Sequence, residues 1–391
     1  MSRQTILPGT TANGQQTTLG VMGGGQLGRM FVHAAQRMGY FTAVLDPDPA
    51  SPAGLVSHYH VQADYLDEQA LAQMMQRCAA ITTEFENVPS SAMFTLGAHR
   101  PVAPGASALK IAQDRIREKA HFMSCGVACA PYAVVADAAQ LAAVPHQLLP
   151  GILKTARLGY DGKGQVTVPD HAALAQAWAA LGEVPCVLEQ KLELDLECSV
   201  TVARGWDGAM VNFPVQRNRH HDGILAVTEV FDGNLPPALA SAAVQAAQAI
   251  ALALDYVGVL CVEFFVVDGQ LLVNEIAPRP HNSGHYSLDA CDLSQFDLQV
   301  RTLAGLPLTE PRQHSAAVMF NLLGDLWLAA PAGAPDWSAV LAVPGTHLHL
   351  YGKLGARAGR KMGHLTVAAA TAGQAQARAA QVAAMLGLAY A

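Results

Sequence analysis

Charge is scarce in this chain. Asp, Glu, Lys and Arg make up 14% of its 391 residues, and 31 acids outnumber 24 bases, leaving a net charge of −7 with histidine neutral. That balance argues against broad nucleic-acid or anionic-membrane binding but leaves room for one local basic pocket. Cysteine is sparse as well: the seven are scattered and never spaced Cys-x-x-Cys. Neither a disulfide framework nor a structural zinc site is expected, and a reducing cytoplasmic setting fits. Long apolar runs are also missing. Residues 1–18 hold no apolar segment, and 239–260 are interrupted by Gln245, Gln248 and Asp255, so neither a signal peptide nor a membrane span is expected. What is plentiful is apolar residue, 51% of the chain, enough to fill several cores in two to four domains.

Strand and helix alternate through residues 1–112, which reads as a parallel α/β domain. A flexible preamble precedes a strand at 18–22, a glycine turn at 23–28 and a helix over 29–38. Strands at 40–45 and 79–83 flank a helix over 68–78. A second part, 113–310, opens on a charged helix over 114–123 and carries strands at 145–154, 186–190 and 197–203. An alanine-rich helix over 239–254 then leads to a hairpin, 257–267 and 270–276, turning at Asp268-Gly269. The third part, 311–391, has strands at 316–322 and 347–351 and a closing helix over 370–386.

Residues 274–285, Asn-Glu-Ile-Ala-Pro-Arg-Pro-His-Asn-Ser-Gly-His, crowd a carboxylate, an arginine, two histidines and two asparagines behind an apolar run. Groups so costly to desolvate mark a site rather than a core. The acid suits a hard cation with oxygen ligands, and Arg279, His281 and Asn282 suit a small oxyanion, which together suggest phosphate chemistry with magnesium. Glu263 and Glu275 flank the hairpin turn. With a two-residue turn Glu263 faces Asn274, whereas a three-residue turn or a bulge sets the two acids together. The loop Gly159-Tyr160-Asp161-Gly162-Lys163-Gly164 follows a strand bearing Lys154; it is either a lid over nucleotide phosphates or a solvated hairpin loop, and it is not a Walker A loop. Gly23-x-Gly25-x-x-Gly28, with Asp46 eighteen residues on, fits either a dinucleotide site or a tight strand-to-helix turn. Lys353, Arg360 and Lys361 form either a phosphate pocket or a solvated surface. His220-His221-Asp222 lacks a third ligand spaced for a metal, leaving nucleotide contact or simple polarity.

Taken together, Gly25-Gln26-Leu27-Gly28-Arg29-Met30, the 159–165 loop, His221-Asp222-Gly223-Ile224-Leu225, the 274–285 stretch and Gly359-Arg360-Lys361-Met362-Gly363-His364-Leu365 resemble, in order and almost end to end, the 5-(carboxyamino)imidazole ribonucleotide synthase family of the ATP-grasp superfamily. The resemblance implies an α/β (α+β overall) ATP-grasp architecture: a Rossmann-like domain over 1–112, an ATP-grasp domain over 113–310 and a small β-rich domain over 311–391. It implies a cytoplasmic homodimer that uses ATP and magnesium to carboxylate 5-aminoimidazole ribonucleotide with bicarbonate, through carboxyphosphate. It also implies nucleotide contacts at Arg115, Lys154, the loop Gly159 to Gln165, Glu189, Gln190, Lys191, Leu192, Glu197, His220, Asn274 and Glu275. Magnesium would lie on Glu263 and Glu275, and the carboxyl chemistry near Arg279, His281, Asn282, Asp161 and Lys353. The ribonucleotide would lie near Gln26, Leu27, Glu84, Tyr160, Asp161, Lys353, Arg360 and Lys361. A related family, the formate-dependent glycinamide ribonucleotide transformylases, would carry Glu in place of Gln26 and Asp in place of Asn282. A nonenzymatic nucleotide-binding subunit is the alternative from another class.

Overall fold

Four short strands, β1 (Thr18–Met22), β2 (Phe41–Leu45), β3 (Tyr59–Val61) and β4 (Ala80–Thr83), pair in parallel in the order β3-β2-β1-β4. The structure, a computed structural model, describes residues 5–10, 14–159 and 164–390. Every residue of β1 and β4 is buried, as befits a parallel sheet covered on both faces. The helix Gln26–Arg37 begins earlier than its apolar pattern indicates. A distant carboxylate explains this: Glu84 accepts the N–H groups of Gly25 at 2.8 Å and Gly28 at 3.1 Å, supplying the cap that local sequence lacks. Residues 5–10 are not the flexible preamble expected. Ile6 N–H donates to the Ala304 carbonyl, and the Tyr40 hydroxyl donates to the Ile6 carbonyl, because the Ile6 side chain packs on the core that includes those residues.

A second sheet, wholly antiparallel, runs β5-β8-β6-β7 from β5 (Tyr132–Val135), β6 (Gly151–Thr155), β7 (Gln165–Val168) and β8 (Cys186–Gln190). The strand expected at 145–154 is shorter than predicted. Pro145 and Pro150 have no N–H for a ladder, so His146–Leu148 forms a 3-10 turn and pairing starts at Gly151.

The third sheet takes β9 (Leu196–Arg204), β10 (Met210–Asn212), β11 (Gln216–His221), β12 (Ile224–Val230), β13 (Gly258–Val267), β14 (Gln270–Ala277), β15 (Ala316–Leu323), β16 (Thr346–Leu350) and β17 (Lys361–Ala369). Its order is β14-β13-β9-β11-β12-β15-β17-β16, with β10 on β9. The last three strands therefore extend the central sheet through the β12–β15 pairing, which brings the C-terminal bases beside the hairpin acids. Among the described residues no helix is long and apolar enough to cross a membrane.

Candidate active site

Hairpin register builds the site. Asp268 and Gly269 take left-handed φ of 49° and 71°, forming a two-residue turn that pairs Val267 with Gln270 and Phe264 with Val273. Continued unbroken, that register would set Glu263 opposite Asn274 and turn Glu275 to the far face. Instead a bulge absorbs Asn274, and Glu263 pairs with Glu275. Of the two resolutions the sequence allowed, the bulge is the one that occurs.

Both acids line a cleft of about 810 Å³ to which all three parts of the chain contribute. Gln26, Leu27 and Glu84 come from the first part. The second supplies Arg115, Lys154, Gly159, Gln165, Glu197 and His220, along with Glu263, Asn274, Glu275, Arg279, His281 and Asn282. Lys353 and Arg360, from the connection between β16 and β17, and Lys361, the first residue of β17, come from the C-terminal part. Glu189 stands behind the wall, paired with Lys154; Gln190, Lys191 and Leu192 at the end of β8, and Gly164, are not part of the lining. Tyr160, Asp161, Gly162 and Lys163 lie outside the described residues.

Ion pairs organise the walls. Arg115 reaches Glu275 at 2.9 Å, and Arg279 reaches Glu86, a residue that sequence reasoning missed, also at 2.9 Å. His281 Nε2 sits 3.0 Å from Glu263, while His220 Nδ1 lies 2.8 Å from Glu197 and its Nε2 3.8 Å from Glu263. Burial opposes ionisation of Glu263, but His281, His220 and Arg279 outweigh it and lower its pKa. Burial likewise works against the His220 cation, and the bond to Glu197 with the charge of Glu263 raises its pKa nonetheless. The Asn274 amide oxygen is buried with no hydrogen-bond partner. Together with two carboxylates it makes an oxygen-only donor set, which fits a magnesium ion. His221 is exposed and takes no part.

Lys353 donates to the Lys361 carbonyl at 2.8 Å, and Arg360 to the carbonyls of Leu354 and Gly355 at 2.6 and 2.8 Å. Those bonds hold the three bases in one wall rather than on an open surface. Glu118 and Lys119 were also missed, although Arg115, Glu118 and Lys119 stand at i, i+3 and i+4 on one helix face, a spacing that could have been read. Glu118 accepts the Ile276 N–H at 2.8 Å; burial pushes its pKa up to about 8 against the pull of Arg115.

The glycine turn serves the protein's own carboxylates. Asp46 accepts the Gly24 N–H at 2.7 Å, and Glu84 takes those of Gly25 and Gly28. A Cβ on Gly25 would meet the Glu84 carboxylate at 2.5 Å, so the glycine makes room for that side chain. The N–H groups a dinucleotide pyrophosphate would need are already engaged. The strand-to-helix turn is thus the reading the geometry favours.

Asp289, His349 and His364 are the one trio of His, Cys, Asp or Glu side chains among the described residues whose ligand atoms lie close together. The His349 and His364 rings are nearly parallel, however, 4.4 Å apart at 11°. Their in-plane lone pairs therefore do not converge on a single ion.

Sequence profiles of a ribonucleotide synthetase preATP-grasp domain, an ATP-grasp domain and a phosphoribosylaminoimidazole carboxylase C-terminal domain match residues 16–113, 120–296 and 317–378. The N5-carboxyaminoimidazole ribonucleotide synthase of Brucella melitensis is 45% identical over 370 residues, covering 94% of this chain and 98% of that protein. Its Bacillus subtilis namesake is 39% identical over 368 residues, 94% and 93% of the two chains. An N5-carboxyaminoimidazole ribonucleotide synthetase solved with ADP superposes with a TM-score of 0.89 at 37% identity over 98% of both chains. The Aspergillus clavatus N5-carboxyaminoimidazole synthase, solved with ADP and 5-aminoimidazole ribonucleotide, gives 0.86 at 30% identity over 95% of this chain and 98% of that one.

Proposed function

Because the chain belongs to the N5-carboxyaminoimidazole ribonucleotide synthase family of ATP-grasp ligases, we propose that its cleft joins bicarbonate to 5-aminoimidazole ribonucleotide at the expense of ATP. The observation that carries this reading is the meeting, in one cleft, of the bulge-paired acids Glu263 and Glu275 with Lys154, Arg279 and the three C-terminal bases. Bicarbonate oxygen attacks the γ-phosphorus, ADP leaves, and carboxyphosphate forms. The carboxyl carbon then passes to the exocyclic amine as phosphate departs and the amine loses a proton.

Lys154 and Arg115 neutralise the nucleotide phosphates, and Arg279, His281 and Asn282 hold the bicarbonate and the acyl phosphate. Glu263, Glu275 and the Asn274 amide oxygen would hold magnesium, which when bound offsets phosphate charge. Lys353, Arg360 and Lys361 take the ribonucleotide, with Gln26 and Leu27 beside it. The 159–165 loop excludes water from an intermediate that hydrolyses easily. The reading includes a homodimer. Gln26 and Asn282 favour it over formyl transfer to glycinamide ribonucleotide. The test is ADP release from ATP and magnesium with each acceptor: 5-aminoimidazole ribonucleotide with bicarbonate should give one carboxylated product per ADP, and turnover with glycinamide ribonucleotide and formate instead would overturn it.

A further inference from the structure

The wall behind Lys154 holds more positive charge than its own carboxylate balances. Lys154 and Glu189 share a face of the second sheet, since Glu189 is paired with Ile152 and Lys154 is two residues further on. Lys119, from the helix Arg115–Ser124, closes the other side. Its Nζ lies 3.0 Å from Glu189 Oε1, Lys154 Nζ lies 2.9 Å from Oε2, and Lys119 Nζ also sits 5.4 Å from the Tyr132 ring centre. Access separates the two lysines. The Lys119 side chain is 1% exposed and stands outside the cleft lining, whereas that of Lys154 is 11% exposed and forms part of it. The Lys119–Glu189 contact is thus an ion pair held wholly within the wall.

Two ammonium groups thus share one buried carboxylate. A Lys154–Glu189 pair alone would be neutral, and drawing Lys154 onto a phosphate would strand Glu189 as a buried, unpaired anion, a heavily penalised state. With Lys119 in place Glu189 keeps a counter-ion whichever way Lys154 turns. We propose that Lys119 is a positioning residue that holds Glu189 so that Lys154 is released to the nucleotide phosphates. This rests on the reading of Lys154 as a phosphate ligand; Lys119 itself touches no substrate.

A double-mutant cycle tests it. Lys119→Met should raise the KM for ATP and the Kd for ADP, the latter measured by calorimetry, by about tenfold or more. It should leave kcat and the KM for 5-aminoimidazole ribonucleotide within about twofold. In a Glu189→Gln background, where Lys154 is no longer clamped, the same substitution should cost less than about threefold. Two results would overturn the proposal: ADP affinity unchanged in Lys119→Met, or an equal loss in both backgrounds, as a purely structural lysine would give. Lys154→Met separates the two ideas. If it leaves ADP binding intact, the phosphate role of Lys154 fails; if it weakens ADP binding while Lys119→Met does not, only the role of Lys119 fails.

Discussion

At the scale of one residue, the ribonucleotide role proposed for Lys353 can be tested directly. Its ammonium is tethered to the Lys361 carbonyl and lies 5.7 Å from the Tyr351 ring centre, so its position is set before a ligand arrives and little side-chain entropy is left to lose. Lys353→Ala should raise the KM for the ribonucleotide by roughly ten- to a hundredfold, the value of a charge-assisted contact of about 1.5–3 kcal/mol, and leave the KM for ATP nearly unchanged. Steady-state kinetics with each substrate varied in turn decides it, and equal losses would reject a role confined to the ribonucleotide. Residues of this kind were legible because their chemistry is local: four bases in nine positions, Arg357 among them, or six polar groups behind an apolar strand, stand out without a partner being known. Glu86 was not legible. It matters because Arg279 reaches it across 193 residues of sequence, and no local pattern encodes such a pair. The role of Glu84 as the cap of a helix 56 residues upstream was hidden for the same reason.

At the scale of elements, alternation and apolar runs located the hairpin and three strands of the first sheet, but passed over β3, β5, β7, β10, β11, β12, β17 and most of the shorter helices, and ends shifted where proline or a distant cap intervened. The decisive feature of the site is subtler than any of these. One extra residue at Asn274 turns Glu275 onto the face of Glu263, and both the bulged and the unbulged hairpin agree with the hydrophobic pattern, because the facing strand is apolar on both sides of Glu263 and does not mark one face as the buried one. Deleting Asn274 tests the bulge directly. The shortened strand should regain a regular ladder past Val273 and keep its fold by circular dichroism, with Glu275 directly after Val273 and so still opposite Glu263, but without the Asn274 amide oxygen. The acid pair survives, so a loss of turnover at saturating magnesium reports the missing amide oxygen; it should be on the order of a hundredfold, the scale for removing one preorganised polar contact. A deletion variant that folds and turns over normally would show that the bulge does not matter for chemistry.

Across the whole molecule, the C-terminal strands meet the hairpin region through a column of imidazoles. His349 and His364 are cross-strand partners on β16 and β17. The His364 ring lies tilted against His285 with centres 4.6 Å apart, just beyond the Asn282–Gly284 turn, and Gln295 ties the His285 ring to the carbonyl of His281. Asp289 closes one end on His349 at 2.9 Å, and the Tyr351 hydroxyl bonds His364 at 2.9 Å. Burial lowers the pKa of His364 well below 6.5, helped by the charges of His285 and His349; burial, then His281, His349, Lys361 and Arg279 lower that of His285. The sign follows from linkage: bases with depressed folded pKa values contribute stability above their unfolded pKa, and that stability is lost as pH falls below it. His285 and His364 should therefore pull the unfolding midpoint down below roughly pH 6.5, where unfolded histidine takes up protons, against the opposite pull of Glu118 and His220, whose raised pKa values favour the folded state as pH falls. His364→Phe keeps a ring for stacking but cannot titrate. It should unfold at a somewhat lower temperature at pH 7.5, for want of the Tyr351 bond, and lose less than the parent on going to pH 5.5. Each such histidine contributes at most about 1.4 kcal/mol per pH unit, so the difference in slope is measurable by calorimetry. If parent and variant decline in parallel, the acid sensitivity originates elsewhere and the imidazole column is only a packing contact between the C-terminal strands and the site.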